Sequence, residues 1–303
     1  MFDLVNFGSL CIDNVYGVPS IARAGETVTA TAQTRFAGGK GLNQSLAAAR
    51  AGCRVAHVGC IGDDGVLLIG TLSAAGVDVG GIRRVDGVPS GHAVIQVDSD
   101  GSNAIVIVGG ANRCTTAADL EGALSRVAPG GWLLLQNEIN DIERALAFAR
   151  ARQVRVAMNL APADGREGGY DLGAMHLLVV NAIEAQALTG EHDHERAIDA
   201  ITTRHDSLEL VLTRGHEGLV WARGMQRLRL GAFRVTAVDE TAAGDAFTGH
   251  LLAALIRGAS RQAALVRASA AGALAVTRAG AAPSIPTTSE VDAFLDVRRH
   301  ELA

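Results

Sequence analysis

Apolar positions along the chain fall into two kinds of stretch. Short runs rich in Val and Leu, bounded by turn residues, recur at 4–8, 55–59, 132–136, 154–159, 177–181 and 208–213. They are apolar at nearly every position rather than at every second one, the pattern of strands buried on both faces. Ala- and Leu-rich segments at 41–51, 64–75, 141–152, 182–189 and 245–257 lie among them and fit helices. Strands alternating with helices predict an α/β fold, with a mostly parallel central sheet flanked by helices on both faces.

Two stretches break this rhythm. Residues 28–36 and 91–108 read as antiparallel strands, and the runs 91–97 and 103–108 flank the turn sequence Asp98-Ser99-Asp100-Gly101-Ser102, a strong hairpin signal. Segments of about 12–36 and 91–108 are therefore expected to form a small antiparallel β lid over a site, or else further strands on the main sheet. No repeat and no low-complexity linker interrupts the chain, so one domain spanning 1–303 is expected.

Composition narrows the classes. The chain has 303 residues, of which 48% are hydrophobic, enough for a substantial core. A net charge of -5, with no long basic run, gives no basis for a nucleic-acid partner. The apolar stretches are too short and too interrupted for a membrane span, and the N-terminus lacks the pattern of a secretory signal. Cys11, Cys53, Cys60 and Cys114 are scattered, without CxxC or zinc spacing. Reduced thiols in a cytoplasmic protein are expected.

Candidate chemistry gathers at turns that precede helices. In Val238-Asp239-Glu240-Thr241-Ala242-Ala243-Gly244-Asp245, an expected strand ends near Val238 and a helix begins near Asp245. Small residues let backbone N–H groups approach a ligand, and a helix N-terminus favours an anion. Asp245 is then either a base or an N-cap, and the sequence leaves both open. Ala37-Gly38-Gly39-Lys40-Gly41-Leu42-Asn43-Gln44 places glycines before a helix without the spacing of a Walker A loop. Asn181 and Glu184 stand three apart at a strand-to-helix junction, suited either to water around a magnesium ion or to capping. Thr213-Arg214-Gly215-His216-Glu217-Gly218 is a further glycine turn after an apolar run. From Ala275 to Pro286 a helix gives way to a loop whose carbonyls suit a cation.

The order and separation of these motifs, together with Gly8-Ser9 and Gly25-Glu26-Thr27-Val28, resemble the ribokinase-like (PfkB) family of carbohydrate kinases over roughly residues 4–297. The resemblance implies transfer of a phosphoryl group from ATP to O5 of D-ribose, giving ribose 5-phosphate and ADP. Asp245 would be the base, and Thr241, Ala242, Ala243 and Gly244 would form the anion hole. It also implies sugar contacts from Cys11, Asp13, Gly39, Lys40, Asn43, Glu138 and Asp245. Nucleotide and Mg-phosphate contacts would come from Asn181, Glu184, Thr213, Arg214, Gly215, His216, Glu217, Gly218, Gly244 and Ser269. A potassium site would draw on Asp239, Thr241, Ala275, Arg278, Gly280 and Ser284, and the lid would join two copies in a homodimer. One position departs from the pattern. The family's ribose kinases carry Asn where this chain has Cys11, and a thiol is the poorer hydrogen-bond partner. That leaves open another sugar such as 2-deoxyribose without touching the reaction. Since fold does not fix function, a non-catalytic sugar-binding protein of the same fold is the alternative of another class, and the intact Asp245, Gly244 and Glu184 argue against it.

Overall fold

The computed structural model describes residues 1–298 and 301. Its strands are β1 (Phe2–Phe7), β2 (Cys11–Gly17), β3 (Ala32–Gly38), β4 (Val55–Ile61), β5 (Asp78–Arg84), β6 (Gly91–Val97), β7 (Asn103–Val108), β8 (Val127–Gln136), β9 (Arg155–Asn159), β10 (Leu177–Asn181), β11 (Glu209–Thr213), β12 (Leu219–Arg223) and β13 (Gln226–Leu230). Its α-helices are α1 (Lys40–Arg50), α2 (Val66–Ala74), α3 (Ala117–Arg126), α4 (Ile142–Ala151), α5 (Ala182–Thr189), α6 (His194–Thr202), α7 (Ala243–Ile256), α8 (Arg261–Ala275), α9 (Ala281–Ser284) and α10 (Thr288–Arg298).

Nine strands form the main sheet in the order β13-β12-β11-β10-β9-β8-β1-β4-β5. Seven of them, from β11 to β5, run parallel, and the β12–β13 hairpin closes one edge antiparallel. Successive residues on one strand serve opposite faces. Leu4 and Leu134 pack with α1, α7, α8 and α10, while Val5, Leu133 and Leu135 pack with α3, α4 and α6. Burial on both faces explains why these strands read as continuous apolar runs. No helix among the described residues is long and apolar enough to cross a membrane.

The smaller sheet runs β3-β2-β6-β7. The expectation of a wholly antiparallel lid needs correction, because β2 and β6 pair parallel between two antiparallel pairs. The chain between β2 and β6 traverses four other elements of the main layers, a crossover long enough to return a strand in the same direction. The strand expected over 28–36 begins only at Ala32. A second correction concerns the strand expected to end near Val238. Residues 231–238 form no regular element. Their end is tied instead to the chain just after α8, where the N–H groups of Val238 and Asp239 donate to the Val276 carbonyl at 2.7 and 3.2 Å.

Candidate active site

The site forms where the C-terminal ends of β8, β9, β10 and β11 meet the N-terminal ends of α1 and α7, the usual ligand crevice of an α/β sheet. Gly249 of α7 lies against Ala47 and Ala48 of α1, and a Cβ at this glycine would collide with both. The close approach draws the first turns of the two helices together. Asp245, in the first turn of α7, is buried there. Its Oδ2 accepts from Asn43 Nδ2 at 3.0 Å and its Oδ1 from Gln44 Nε2 at 2.8 Å. The carboxylate does not cap its own helix, so capping does not account for this Asp.

The turn before α7 holds Ala242 at φ 62°, a left-handed conformation that costs an alanine roughly 1–2 kcal/mol. Beyond it, the N–H groups of Gly244 and Asp245 have no acceptor among the described residues. Both residues, with Thr241 and Ala242, help to line a cavity of about 380 Å³. Unclaimed backbone donors at a helix N-terminus are what an anion hole requires.

The opposite wall is polar. Cys11, Asp13, Gly39, Lys40, Asn43 and Glu138 all line it. Glu138 Oε2 accepts from the Lys40 backbone N–H at 2.9 Å and from the Ser9 hydroxyl. Burial, with Glu138 and Asp245 adding repulsion, pushes the Asp13 carboxyl up to about 6. For Lys40, burial alone would lower the ammonium, but the carboxylates of Asp245, Glu138 and Glu184 outweigh it and hold the group above its ordinary value. Lys40 has no direct ion-pair partner among the described residues, so its charge is directed at the cavity as a whole. Asn43 Oδ1 is buried without a donor. The Cys11 thiol, pushed up by burial and then by Glu138 and Asp13, accepts from Asn112 Nδ2 at 3.4 Å. Ala93, Ile95, Ile105 and Ile107 of the lid sheet cover the cavity with an apolar face.

At the far end stand Asn181, Glu184 and Thr213. Asn181 and Glu184 form a reciprocal capping box: Asn181 N–H and Nδ2 donate to Glu184 Oε2 and Oε1 at 2.9 and 2.8 Å, and Glu184 N–H returns a bond to Asn181 Oδ1. Both roles suggested for this pair are therefore compatible, since the capped carboxylate still faces the cavity. Burial first, then Asp245 and Glu167, raise the Glu184 carboxyl against the pull of Asn181 and Lys40. Arg214, Gly215, His216, Glu217 and Gly218 form a short turn outside the cavity lining, closed by Arg214 N–H to the Gly218 carbonyl at 2.8 Å. Ser269, half-buried on α8, also lies outside the lining.

The chain matches the family described as pfkB family carbohydrate kinase over residues 1–288. A ribokinase of Haemophilus influenzae is 35% identical over 301 residues, covering 97% of this chain and 98% of that one. A deoxyribokinase of Salmonella typhi is 29% identical over 303 residues, covering 97% and 99%. The structure of Arabidopsis thaliana ribokinase complexed with ribose and ATP superposes with a TM-score of 0.84 at 30% identity, covering 96% of this chain and 98% of that one. The chain belongs to the pfkB family of carbohydrate kinases. Its cavity is thus that of a carbohydrate kinase, with Asp245 and the turn before α7 at its centre.

The two loops singled out for a cation do meet. Asp239 Oδ1 accepts from the N–H and hydroxyl of Thr241 at 2.9 and 2.6 Å, and its Oδ2 from the Gly280 N–H at 2.8 Å. Burial would raise this carboxyl, but the Thr241 and Gly280 donors outweigh it and hold it low. Arg278 turns away to Glu290 at 2.7 Å, and the Ser284 hydroxyl donates to the Ala281 carbonyl at 2.8 Å. The Ala275 carbonyl accepts from Arg278 N–H at 3.1 Å. Sequence reasoning missed the buried polar residues behind Asp245: Asn6, Gln136, Asn159 and His57. The available signal was an amide or imidazole inside, or at the end of, an otherwise apolar strand.

Proposed function

We propose that the protein phosphorylates D-ribose at O5 using ATP, giving ribose 5-phosphate and ADP, with Asp245 as the base. The observation that carries this reading is the buried Asp245 carboxylate set between two amide donors, one residue from an unclaimed N–H at the start of α7. A carboxylate there takes the proton of an alcohol, and the adjacent N–H groups stabilise charge on the transferred phosphoryl group. The cavity suits a sugar, with a polar wall rich in acceptors and an aliphatic lid against the C–H face. Asn43 Oδ1, buried and unpaired, is ready to accept a sugar hydroxyl.

ATP would lie toward Asn181, Glu184 and Thr213, with the turn Arg214 to Gly218, Gly244 and Ser269 along its length. Magnesium fits this end: the Glu184 carboxylate is already fixed by two donors, which suits holding water around a metal rather than binding it directly. There the ion would neutralise phosphate charge. A monovalent cation such as potassium fits the loops of Asp239, Thr241, Ala275, Arg278, Gly280 and Ser284, where an ionised, low-lying Asp239 ties one loop to the other. Arg278 would contribute its backbone oxygen, because its side chain is engaged with Glu290, whereas the Ser284 hydroxyl, which donates to the Ala281 carbonyl, keeps its lone pairs for a cation. Such an ion would brace the turn that carries Ala242. We further assign the protein to the cytoplasm as a homodimer through its lid.

Cys11 favours a second reading, 2-deoxyribose, which the similarity to a deoxyribokinase also supports. An assay of ADP release over a sugar panel, with the phosphorylated carbon located by NMR, decides between the two. In Asp245→Asn, kcat should fall about 10²–10⁴-fold. Near-normal kcat in a folded Asp245→Asn protein overturns the assignment of the base. An absence of ADP release with every sugar would favour a binding protein of the same fold.

A further inference from the structure

Behind Asp245, away from the cavity, a chain of buried side chains crosses the middle of the main sheet. Gln44 Nε2 donates to Asp245 Oδ1 at 2.8 Å and to Asn159 Oδ1 at 2.9 Å. Gln44 Oε1 accepts from Gln136 Nε2 at 2.8 Å, and the same Nε2 donates to Asn6 Oδ1 at 3.0 Å. Asn6 Nδ2 donates to the Gly41 carbonyl at 2.7 Å and to Ser45 Oγ at 2.9 Å. Ser45 Oγ lies 2.8 Å from His57 Nδ1, and His57 Nε2 lies 3.2 Å from the Gly8 carbonyl. Asn6, Gln44, Ser45, His57 and Gln136 have no solvent exposure. Strand register supports the row, since Asn6 pairs with His57 and Gln136 with Asn159.

The direction of every bond is fixed from the two ends. A carbonyl only accepts, so His57 must carry its proton on Nε2 and accept at Nδ1 from the Ser45 hydroxyl. The Gly41 carbonyl likewise requires the Nδ2 end of Asn6, which turns Asn6 Oδ1 toward Gln136. The Val179 carbonyl, 3.2 Å from Asn159 Nδ2, turns Asn159 Oδ1 toward Gln44. Gln44 is thereby obliged to show its NH₂ group to Asp245. A flipped amide would set Oε1 against the carboxylate and leave Gln136 and Asn159 mispaired. Gly8 is part of the device, because a Cβ there would collide with Gln136 Oε1 and Asn6 Oδ1. Burial lowers His57 to about 4, so the far end of the row stays neutral at working pH.

We propose that Gln44 is a positioning residue for Asp245, its amide held donor-first by the buried row Gln136–Asn6–Ser45–His57, so that the carboxylate always meets a donor and is fixed in direction during phosphoryl transfer. This rests on Asp245 being the base. A donor to the ionised form lowers a carboxyl's pKa, so removal of the donor raises it. The other charged or titratable groups of the cavity that Asp245 lines are Lys40 on α1, Asp13 on β2, Glu138 after β8, Glu184 on α5, Glu240 in the turn before α7 and the Cys11 thiol. None of them touches Gln44 by a hydrogen bond among the described residues.

The test is the pH profile of kcat at saturating sugar and ATP, measured on the full chain. Saturation matters because Asp13, raised to about 6, titrates in the free enzyme, whereas kcat reports groups in the complex. In Gln44→Met the acidic limb should move up by about one pH unit, about tenfold in activity on that limb. The KM for sugar should change less than kcat. Gln136→Met, which does not touch Asp245, should move the limb the same way by a smaller amount. An acidic limb that stays in place in a folded Gln44→Met protein, while Asp245→Asn is inactive, overturns the proposal and leaves the base assignment standing. An active Asp245→Asn overturns both. If Gln44→Met does not fold, Gln136→Met decides: an unmoved limb there overturns the proposal.

Discussion

At the scale of single residues, the site is destabilising to maintain, and Asp13 shows why. Its carboxyl is raised to about 6 by burial and by its acidic neighbours, against an ordinary value of 3.8. A raised folded-state value means that the ionised group opposes folding. Its cost is absent below about 4, grows between about 4 and about 6 and is full above that. Asp13→Asn should therefore raise Tm at pH 8, and the gain should vanish by pH 4, while sugar turnover falls at both. A Tm equal to wild type at pH 8 would refute the stated cost. Cys11 concerns selectivity rather than stability. The residue lines the cavity, and the one hydrogen-bond partner of its thiol among the described residues is Asn112. A hydrogen bond missing at the sugar's 2-hydroxyl weakens discrimination against 2-deoxyribose, because fewer polar groups are left unpaired by its absence. Cys11→Asn should raise the kcat/KM ratio of ribose over 2-deoxyribose by roughly two- to tenfold, the usual net worth of one hydrogen bond. Identical ratios in the two proteins would remove Cys11 from the selectivity argument. Both residues were legible in the sequence through the resemblance. The row behind Asp245 was not, because a lone Asn6 or His57 in an apolar strand gives no hint of which other strand will supply its partner.

At the scale of elements, what matters is how α1 and α7 are made to present their first turns to one another. Gly249 carries much of this and looks ordinary in sequence, since a glycine inside an Ala/Leu-rich helix reads as a propensity cost until its contact with Ala47 is known. Ala- and Leu-rich runs placed α1, α2, α4, α5 and α7 within a residue or two, because that composition favours helix whichever face is buried. They left α3, α6, α10, β5 and the β12–β13 hairpin unassigned and marked only the end of α8; α3 and α6 are amphipathic, but charged residues separate their apolar positions, so neither forms a continuous apolar run. The failed expectation of a strand ending near Val238 has a related cause. Val238 and Asp239 satisfy their backbone N–H groups through a side-on tie to Val276 rather than through a ladder. That tie is also where the two loops proposed to hold a cation meet. Potassium, bracing the segment between Asp239 and Ala242, should raise kcat well above its level in a buffer with only a large organic cation. Removal of the Asp239 carboxylate in Asp239→Ala should abolish most of that difference. Activity that is flat across potassium, caesium and the organic cation would show that the loops need no ion.

At the scale of the whole molecule, the main sheet is covered on both faces, but the lid sheet is not. Its β7 strand leaves Ile105 at 52%, Val106 at 64%, Ile107 at 60% and Val108 at 40% exposure, a contiguous apolar run on an edge strand. Alternation sends Ile105 and Ile107 toward the sugar cavity and Val106 and Val108 to the other side. A single four-stranded sheet with apolar residues on both faces is a poor independent unit, and an uncovered apolar edge invites association. The simplest solution is a second copy of the same lid, since a two-fold axis lets one self-complementary patch cover both sheets. The hairpin and the alternating Ile residues of the lid were legible in the sequence, although the parallel β2–β6 pair in its middle depends on a crossover that short-range patterns do not record. The protein should run as a dimer by light scattering at micromolar concentration. Val106→Asp, outside the cavity lining, should shift it to monomer. If the partner holds the outer face of the lid sheet whose Ile105 and Ile107 line the cavity, the monomeric variant should also show a raised KM for sugar with less change in the KM for ATP. A wild-type monomer would refute the shared lid. A dimer indifferent to Val106→Asp would move the interface to another face of the molecule.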